Sequence, residues 1–249
     1  MPKKTLLQMT QDILNDLDSD EANSIDDTVE AAQVAQIIRT CYEEMSSNRN
    51  WPNQKKIIQL EASGTTNRPN YLTFPEGIKE LVSFKYNVIK DGETRVQYKD
   101  VKWLYPDEFL AKIDARNSDN ANIQQIQDDS GVLLLIQNDK APEWWTTFDD
   151  SWMICDSYDV AVDDTLKKSK TQAIVYQELP WTHTDDFIPD LPANAFSALI
   201  EEAKSTAFLV LKQMANQKAE QKAARQQRWL SRKAWKAHGG IRYPDFGRK

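Results

Sequence analysis

The longest helical signal runs from Ala193 to His238, where neither glycine nor proline occurs. Apolar residues recur along its first half at spacings of three and four, the periodicity of an amphipathic helix. They are Phe196, Leu199, Ile200, Ala203, Ala207, Val210, Leu211 and Met214. A single helix of forty-odd residues would be roughly 65 Å long at about 1.5 Å per residue, too long to lie wholly on a domain of this size. Its second half is therefore predicted to project, to bend back or to be covered by another chain.

A helical hairpin is predicted for residues 5 to 48. The first helix has apolar residues at helical spacing and ends in the acidic stretch DSDEANS, which offers capping side chains for the second. Acidic residues near the start of the second helix suit the positive end of its dipole; they are Asp26, Asp27 and Glu30. An apolar stripe follows, formed by Val34, Ile38, Cys41 and Met45.

From Lys55 the pattern becomes that of strands. Short β-branched and aromatic runs such as IIQLE, YLTF, LVSFKYNV, TRVQYKDV and GVLLLIQ are separated by turn sequences. One helix, PDEFLAKIDARN with Pro106 at its first position, interrupts them, and SWMICDSYDVAV is a further β passage. We expect DDTLKKSKTQAIVYQEL to be helical, with Leu166 and residues 173–179 facing inward. The three prolines of PWTHTDDFIPDLP predict a surface loop.

These elements predict an α+β fold. The helical hairpin and the long C-terminal helix would form a helical bundle, and the middle of the chain a sandwich- or barrel-like β domain. The predicted boundaries are 1–52 for the hairpin, 53–165 for the β-rich domain, 166–238 for the helical part and 239–249 for an extended tail that begins at Gly239-Gly240.

Charge is distributed unevenly along the chain. Residues 204–249 contain 12 Lys and Arg against two Asp and Glu, whereas residues 1–203 contain 19 against 36, which gives the formal net charge of −7. The closing stretch RQQRWLSRKAWKAHGGIRYPDFGRK combines this positive charge with aromatic residues. Such asymmetry is typical of a segment that meets an anionic partner or an acidic protein surface.

No catalytic or cofactor motif stands out. The glycines form no phosphate-binding spacing, no serine or cysteine lies in a nucleophile motif, and His183 and His238 have no neighbours at metal-ligand spacing. The pairs Asp149-Asp150, Asp163-Asp164 and Asp185-Asp186 are explained by turn and cap chemistry. Cys41 and Cys155 are expected to be reduced, half-buried thiols. We predict neither an enzyme, a metal site nor a cofactor, and no membrane span.

Two stretches carry a resemblance to a known family. The capped hairpin ending in EAAQVAQIIRTCYEEMSSNRNW, the β-rich middle with PEWWTTFDDSWMICDSYD, and the long helix with a basic tail together resemble the head-to-tail adaptors of short-tailed bacteriophages, the group that includes tail tubular protein A. In that family the second helix closes on a tryptophan after a basic residue. Here Arg49, Asn50 and Trp51 take that place.

The resemblance implies a structural virion protein of the neck. Family members form a ring, typically of twelve copies, between the portal and the tail nozzle or tail tube, and genomic DNA passes through its channel without sequence-specific binding. Such a protein would be assembled in the host cytoplasm. The portal or a neighbouring copy would be met by the C-terminal helix and tail, whose candidate docking residues are Arg225, Arg228, Trp229, Arg232, Lys233, Trp235, Arg242, Tyr243, Pro244, Phe246 and Arg248.

A second interpretation is a nucleic-acid-binding protein. The cations of residues 225–236 would then neutralise phosphates, and the tryptophans would stack on bases. Because these cations spread around the helix and the rest of the chain is strongly acidic, a protein-docking face is the favoured interpretation. A hydrolase using the aspartate pairs is the third.

Overall fold

The computed structural model describes residues 3–90, 92–193 and 195–233, and the fold is mixed α+β. The chain divides into two compact units: residues 55–177 form the β unit, and the residues before and after them form the helical unit. The described residues form five α-helices: α1 (Leu6–Asp16), α2 (Val29–Ser47), α3 (Pro106–Asp114), α4 (Phe196–Lys212) and α5 (Gln217–Lys233). All but α3 lie in the helical unit.

The two N-terminal helices start at side-chain caps. The Thr5 hydroxyl accepts a hydrogen bond from the Gln8 N–H, and the Gln8 side chain accepts one from the Thr5 N–H, which is a complete capping box. Thr28 caps α2 by accepting from the Ala31 N–H, so the cap predicted within DSDEANS, residues 18–24, is wrong: the capping residue lies four residues after that stretch. The predicted helical elements between residues 5 and 48 are therefore present, although Asp26 and Asp27 precede α2 instead of lying in its first turn.

The single long helix predicted from Ala193 to His238 is wrong. The chain breaks between α4 and α5 at Gln213, whose φ of 53° lies in the left-handed region. The N–H groups of Gln213 and Met214 both donate to the Phe208 carbonyl, and Asn216 then caps α5 by accepting from the Ala219 N–H. Of the three predicted alternatives for the second half, bending back is the one observed, because α5 packs against α4.

Replacing Gln213 by glycine should raise the free energy of unfolding by about 0.5–1 kcal/mol. A left-handed backbone costs a residue with a side chain roughly 1–2 kcal/mol, and the greater unfolded-state entropy of glycine offsets part of this gain. Urea denaturation measures the change. The matched control is Lys212→Gly, one residue earlier and inside α4, which should lower stability by about 1 kcal/mol. If both variants lost stability equally, the helix break would not lie at Gln213.

The segment between Glu178 and Ala195 is packed more closely than a surface loop. Leu191 is buried, and Trp181 and Phe187 pack against the core of the helical unit. The Trp181 ring lies 4.7 Å from that of Phe187 and 5.6 Å from that of Tyr42, centroid to centroid. The segment has no regular secondary structure, as predicted, but it completes the core formed by α1, α2 and α4.

The described part of the β unit forms one eight-stranded sheet and a separate hairpin. In chain order the strands are β1 (Lys55–Ile58), β2 (Glu61–Ala62), β3 (Tyr71–Thr73), β4 (Ile78–Asn87), β5 (Tyr98–Trp103), β6 (Ile123–Gln127), β7 (Leu133–Gln137), β8 (Trp144–Thr146), β9 (Trp152–Cys155) and β10 (Thr171–Gln177). The sheet order is β1-β10-β4-β5-β8-β9-β3-β2, and β6 pairs with β7. Strands β5 and β8 run parallel, and the other pairs are antiparallel.

The helix predicted for residues 163–179 is also wrong. After a short 3-10 turn at Lys168–Lys170, residues 171–177 form β10, a strand between β1 and β4. Thr171, Ala173 and Val175 are buried at alternate positions, which is strand periodicity. The β-branched Ile174 and Val175 favour this state. Residues 166–177, predicted to begin the helical part, therefore belong to the β unit.

The eight-stranded sheet is curled. Three strands lie between β3 and β4 in the sheet order, so a flat sheet would place these two strands about 19 Å apart at about 4.8 Å per spacing. Only residues 74–77 join them, a link of at most about 18 Å when fully extended. Gly77 shortens it further with a φ of 72°. The ends of β3 and β4 are thus drawn together, and the sheet closes partly around a concave face.

Candidate docking site

The predicted docking residues fall on α5 or beyond it. Arg225 and Arg228 lie on α5 with exposed side chains. Trp229, Arg232 and Lys233 belong to the same helix, but the structure describes only their backbone. The remaining predicted residues, Trp235, Arg242, Tyr243, Pro244, Phe246 and Arg248, lie outside the described residues.

Helix α5 is held on α4 by polar contacts that alternate with small buried side chains. Ala219, Ala223 and Leu230 are buried. Lys222 pairs with Glu201, and the Gln226 amide donates to the Ser197 hydroxyl at 2.6 Å. Because Lys222 meets Glu201 and the later Gln226 meets the earlier Ser197, the two helices run antiparallel. These contacts fix α5 along its length up to Leu230.

The motif Arg49-Asn50-Trp51 lies at the C-terminal end of α5. The Arg49 guanidinium donates to the Leu230 carbonyl at 2.7 Å and stacks over the Trp51 ring at 4.9 Å from its centroid. Carbonyls of the last helical turn lack intrahelical donors, and a cation there also complements the helix dipole. Burial lowers the pKa of Arg49 from its ordinary value. Asn50 lies between Arg49 and Trp51, in the segment that leads from α2 to the 3-10 turn at Pro52–Gln54.

Trp51 anchors this motif in the core. Only 2% of its surface is exposed, and its indole N–H donates to the Met45 carbonyl at 3.0 Å. Its backbone N–H donates to the Gln54 side chain at 2.7 Å, and the Gln54 amide in turn donates to the Ser46 carbonyl at 3.3 Å. The C-terminal turn of α2 is thereby tied to the segment that follows it.

A pocket of about 390 Å³ opens beside this motif. Its lining includes Met45, Arg49, Trp51 and Leu230, so it lies at the point where α5 ends. Cys41 also lines it, and burial raises the pKa of that thiol to about 11. A thiol with so high a pKa is protonated near neutral pH and is a poor nucleophile.

An apolar surface marks the turn between α4 and α5. Leu209, Val210 and Met214 are 60%, 58% and 66% exposed. Val210 and Met214 were predicted to lie on the apolar face of one long helix, but both are exposed.

The family-like stretch at residues 142–159 is built around a buried ion pair in the β unit. The Asp156 side chain is fully buried, and its Oδ2 lies 3.0 Å from the Arg116 guanidinium. Its Oδ1 accepts from the backbone N–H groups of Glu143 and Trp144 at 3.1 and 2.9 Å. Arg116 also donates to the carbonyls of Leu135 and Asp156. These bonds join α3, β7, β8 and β9.

One residue of each aspartate pair makes a contact that stabilises the fold. Asp149 accepts from the N–H groups of Ser151 and Trp152 in a turn, as predicted. Asp163 instead forms an ion pair with Lys170 at 2.5 Å. Asp185 makes a long-range contact, because it accepts from the Ile25 N–H at 2.8 Å and so holds the loop before α2.

Residues 3–90, 92–193 and 195–233 contain no group of three or more His, Cys, Asp and Glu side chains placed to hold a metal ion. His183 lies 3.8 Å from Asp26. Cys41 and Cys155 are free and more deeply buried than the half-buried state predicted for them. Among the described helices, none is long and apolar enough to cross a membrane.

Comparison with known proteins identifies no relative: no protein-family model matches the chain, and no curated protein matches it significantly.

Proposed function

We propose that this protein is a head-to-tail adaptor, a ring-forming virion protein that joins a portal to the tail nozzle or tail tube. In this proposal twelve copies typically surround a channel through which genomic DNA passes. The helices act as a bundle on the portal side, and the curled sheet acts as a barrel-like module on the tail side. The C-terminal segment docks on the portal or on a neighbouring copy. The resemblance of the two quoted stretches supplies this assignment.

The single observation that carries the proposal is the contact between Arg49 and the Leu230 carbonyl. It joins the sequence motif of the resemblance to the end of α5, which would explain why a basic residue precedes a tryptophan there. The basic, aromatic residues 234–249 then follow a helix whose last turn is held by this contact. A segment that starts at a fixed point loses less entropy when it binds a partner.

Two exposed features of the helical unit supply surfaces for such a partner. The apolar side chains of Leu209, Val210 and Met214 are the kind that bury well in a protein interface. Arg225 and Arg228 place positive charge on the exposed side of α5. Cations on a docking face steer an acidic partner and fix its orientation.

A ring suits these features energetically. Identical copies in a ring make heterologous contacts that close by rotation. Each contact can be weak, because once a ring has begun to form every further contact is effectively intramolecular. The acidic excess of residues 1–203 would let DNA slide along the channel instead of adhering to it. Neutralising channel-facing carboxylates should then slow DNA ejection, and an unchanged rate would contradict this part of the proposal.

Deleting residues 239–249 should abolish stable assembly on the cognate portal ring while the melting temperature shifts by less than about 2 °C. The buried clusters of the described chain are formed by residues 6 to 230, and a shift of that size corresponds to at most about 1 kcal/mol. Sedimentation of the chain mixed with portal rings measures assembly, and calorimetry measures the melting temperature. A large loss of stability would show that the segment packs on its own domain.

Two surface variants complete this experiment. Arg225→Ala with Arg228→Ala should weaken portal binding, whereas Arg95→Ala, which removes an exposed cation from the loop between β4 and β5, should not. If the full chain formed no complex with the portal, the adaptor proposal would fail. Salt-sensitive binding to duplex DNA, lost in a chain ending at Met214, would support the nucleic-acid interpretation instead.

A further inference from the structure

The concave side of the curled sheet holds a large open groove. Its volume is about 1180 Å³, and it is lined by residues of β3, β4, β5, β8 and β9 and by the link 74–77. This exceeds the roughly 300–1,000 Å³ that is usual for small-molecule sites. The groove therefore suits a peptide segment better than a metabolite.

The floor of the groove is aromatic. The Trp103 and Trp145 rings meet edge to face, with centroids 4.6 Å apart, and Phe74 meets Trp145 at 6.2 Å. Trp103 remains 41% exposed. Exposed tryptophan in a concave surface is typical of a site that receives an aromatic or apolar side chain.

The rim of the groove is acidic. Four carboxylates line it and only two lysines, and one further lysine outside the lining, Lys85, pairs with Asp100 at 3.3 Å. The carboxylates are Glu76, Glu80, Asp100 and Asp150, and all four residues are exposed. One lysine, Lys102, lies 5.5 Å from the centroid of the Trp144 ring. A cationic partner is favoured by this surplus of negative charge.

The shape of the groove follows from the divergence of two strands. Strand β4 is ten residues long, but β5 pairs with it only from Phe84 to Asn87 and then turns to pair with β8 at Lys102 and Trp103. The groove runs along residues 78–83 of β4. Six residues of extended chain span about 20 Å, so the groove is long enough for a short extended peptide.

We propose that this groove binds the C-terminal segment IRYPDFGRK, residues 241–249, of a second copy of the chain. The segment provides Tyr243 and Phe246 for the aromatic floor, and Arg242, Arg248 and Lys249 for the acidic rim, against the single acidic residue Asp245. Pro244 opposes helix formation and biases the residue before it toward extended backbone. The charge, the aromatic content and the proline of this segment thus match the groove.

Contact with a second copy follows from the ring that the proposed function requires. Groove and segment are different parts of one chain, so their pairing is heterologous and passes from copy to copy until the ring closes. The inference rests on the proposed function only in its claim that the copies close into a ring. Association of copies through this contact needs no portal and is tested without one.

A charge exchange between groove and segment tests the proposal on the full chain. The groove variant carries Glu76→Lys and Asp100→Lys, and the segment variant carries Arg242→Glu and Arg248→Glu. Sedimentation velocity at low salt should show that the unmodified chain associates and that each variant alone does so at least tenfold more weakly. An equimolar mixture should recover association, because reversed groove meets reversed segment and unmodified groove meets unmodified segment.

Two further variants test whether a general change in charge or a failure to fold accounts for the loss of association. Asp20→Lys with Glu21→Lys reverses two exposed carboxylates far from the groove in sequence and should leave association unchanged. Tyr243→Ala with Phe246→Ala leaves the β unit untouched and should prevent self-association. Mixed with the groove variant, it should form a dimer only, since a single matched contact remains.

Several results would overturn the inference. These are a chain that stays monomeric at low salt, a segment variant that associates like the unmodified chain, or a mixture that fails to recover. A photo-crosslinker at Phe246, used on mixed light and heavy isotope-labelled chains, identifies the copy that is reached. Crosslinks to the groove within one copy only would also overturn it. If these results arose while portal binding persisted, this inference would fail and the adaptor proposal would stand.

Discussion

Replacing Trp51 by alanine should lower the free energy of unfolding by about 3–5 kcal/mol, the range for deleting a fully buried large aromatic side chain. The ring is 2% exposed, packs in the core of the helical unit and stacks against Arg49. Its loss also leaves the Met45 carbonyl without the indole donor. Urea denaturation measures the stability. Hydrogen exchange should increase most at the end of α2 and at the last turn of α5, where Arg49 meets Leu230.

Trp51→Phe separates packing from hydrogen bonding. Phenylalanine keeps most of the apolar ring but cannot donate to the Met45 carbonyl, so we expect a smaller loss, of about 1–3 kcal/mol. The prediction for alanine would be contradicted by a loss below about 1 kcal/mol. Faster exchange confined to α2 would show that the stack does not support α5.

Replacing Arg116 by alanine should be comparably damaging in the β unit, at about 3–5 kcal/mol, because it leaves a buried carboxylate without its cation. Asp156 is fully buried, and Arg116 is its ion-pair partner. The same change removes the donors to the carbonyls of Leu135 and Asp156, which join β7 to the end of β9. Chemical denaturation followed by tryptophan fluorescence measures the loss.

A double variant identifies the buried charge as the cause. Arg116→Met with Asp156→Asn removes both charges, while the asparagine oxygen can still accept from the N–H groups of Glu143 and Trp144. It should recover at least about 2 kcal/mol relative to Arg116→Ala. Arg68→Ala breaks an exposed pair with Asp129 and should cost less than about 1 kcal/mol. Equal losses in the two single alanine variants would mean that the burial of Asp156 has no energetic consequence.

Local signals in the sequence predicted the positions of several elements. The apolar stripe of α2 and Pro106 at the first position of α3 were read correctly, because capping and helical spacing act within a few residues. Five of the predicted β runs overlap β1, β3, β4, β5 and β7, and SWMIC contains β9. The strands β6 and β8 were missed, since NIQQIQ and WWT are short and have little alternation of their own.

The candidate docking site could be predicted from the sequence only in part. Arg49 and Trp51 were singled out from the resemblance, but their contacts with Leu230 and Met45 depend on the fold, and Arg49 is 181 residues from Leu230. The aromatic groove had no sequence signal, because Phe74, Trp103 and Trp145 lie far apart in sequence and meet only when the sheet curls. The docking role of residues 235–249 stays a prediction.

By itself, the sequence determined those features whose causes lie within one or two helical turns: the apolar stripe of α2, the proline start of α3, the strand character of most β runs, and the basic, aromatic composition of the last residues. Only the tertiary structure decided the rest. Gln213 adopts a left-handed backbone because α5 gains buried contacts by folding back on α4, and residues 171–177 form a strand because β1 and β4 flank them. In both places the free energy of long-range packing exceeds the local cost, which is about 1–2 kcal/mol for the left-handed backbone of Gln213 and about 1 kcal/mol or less per residue for the strand.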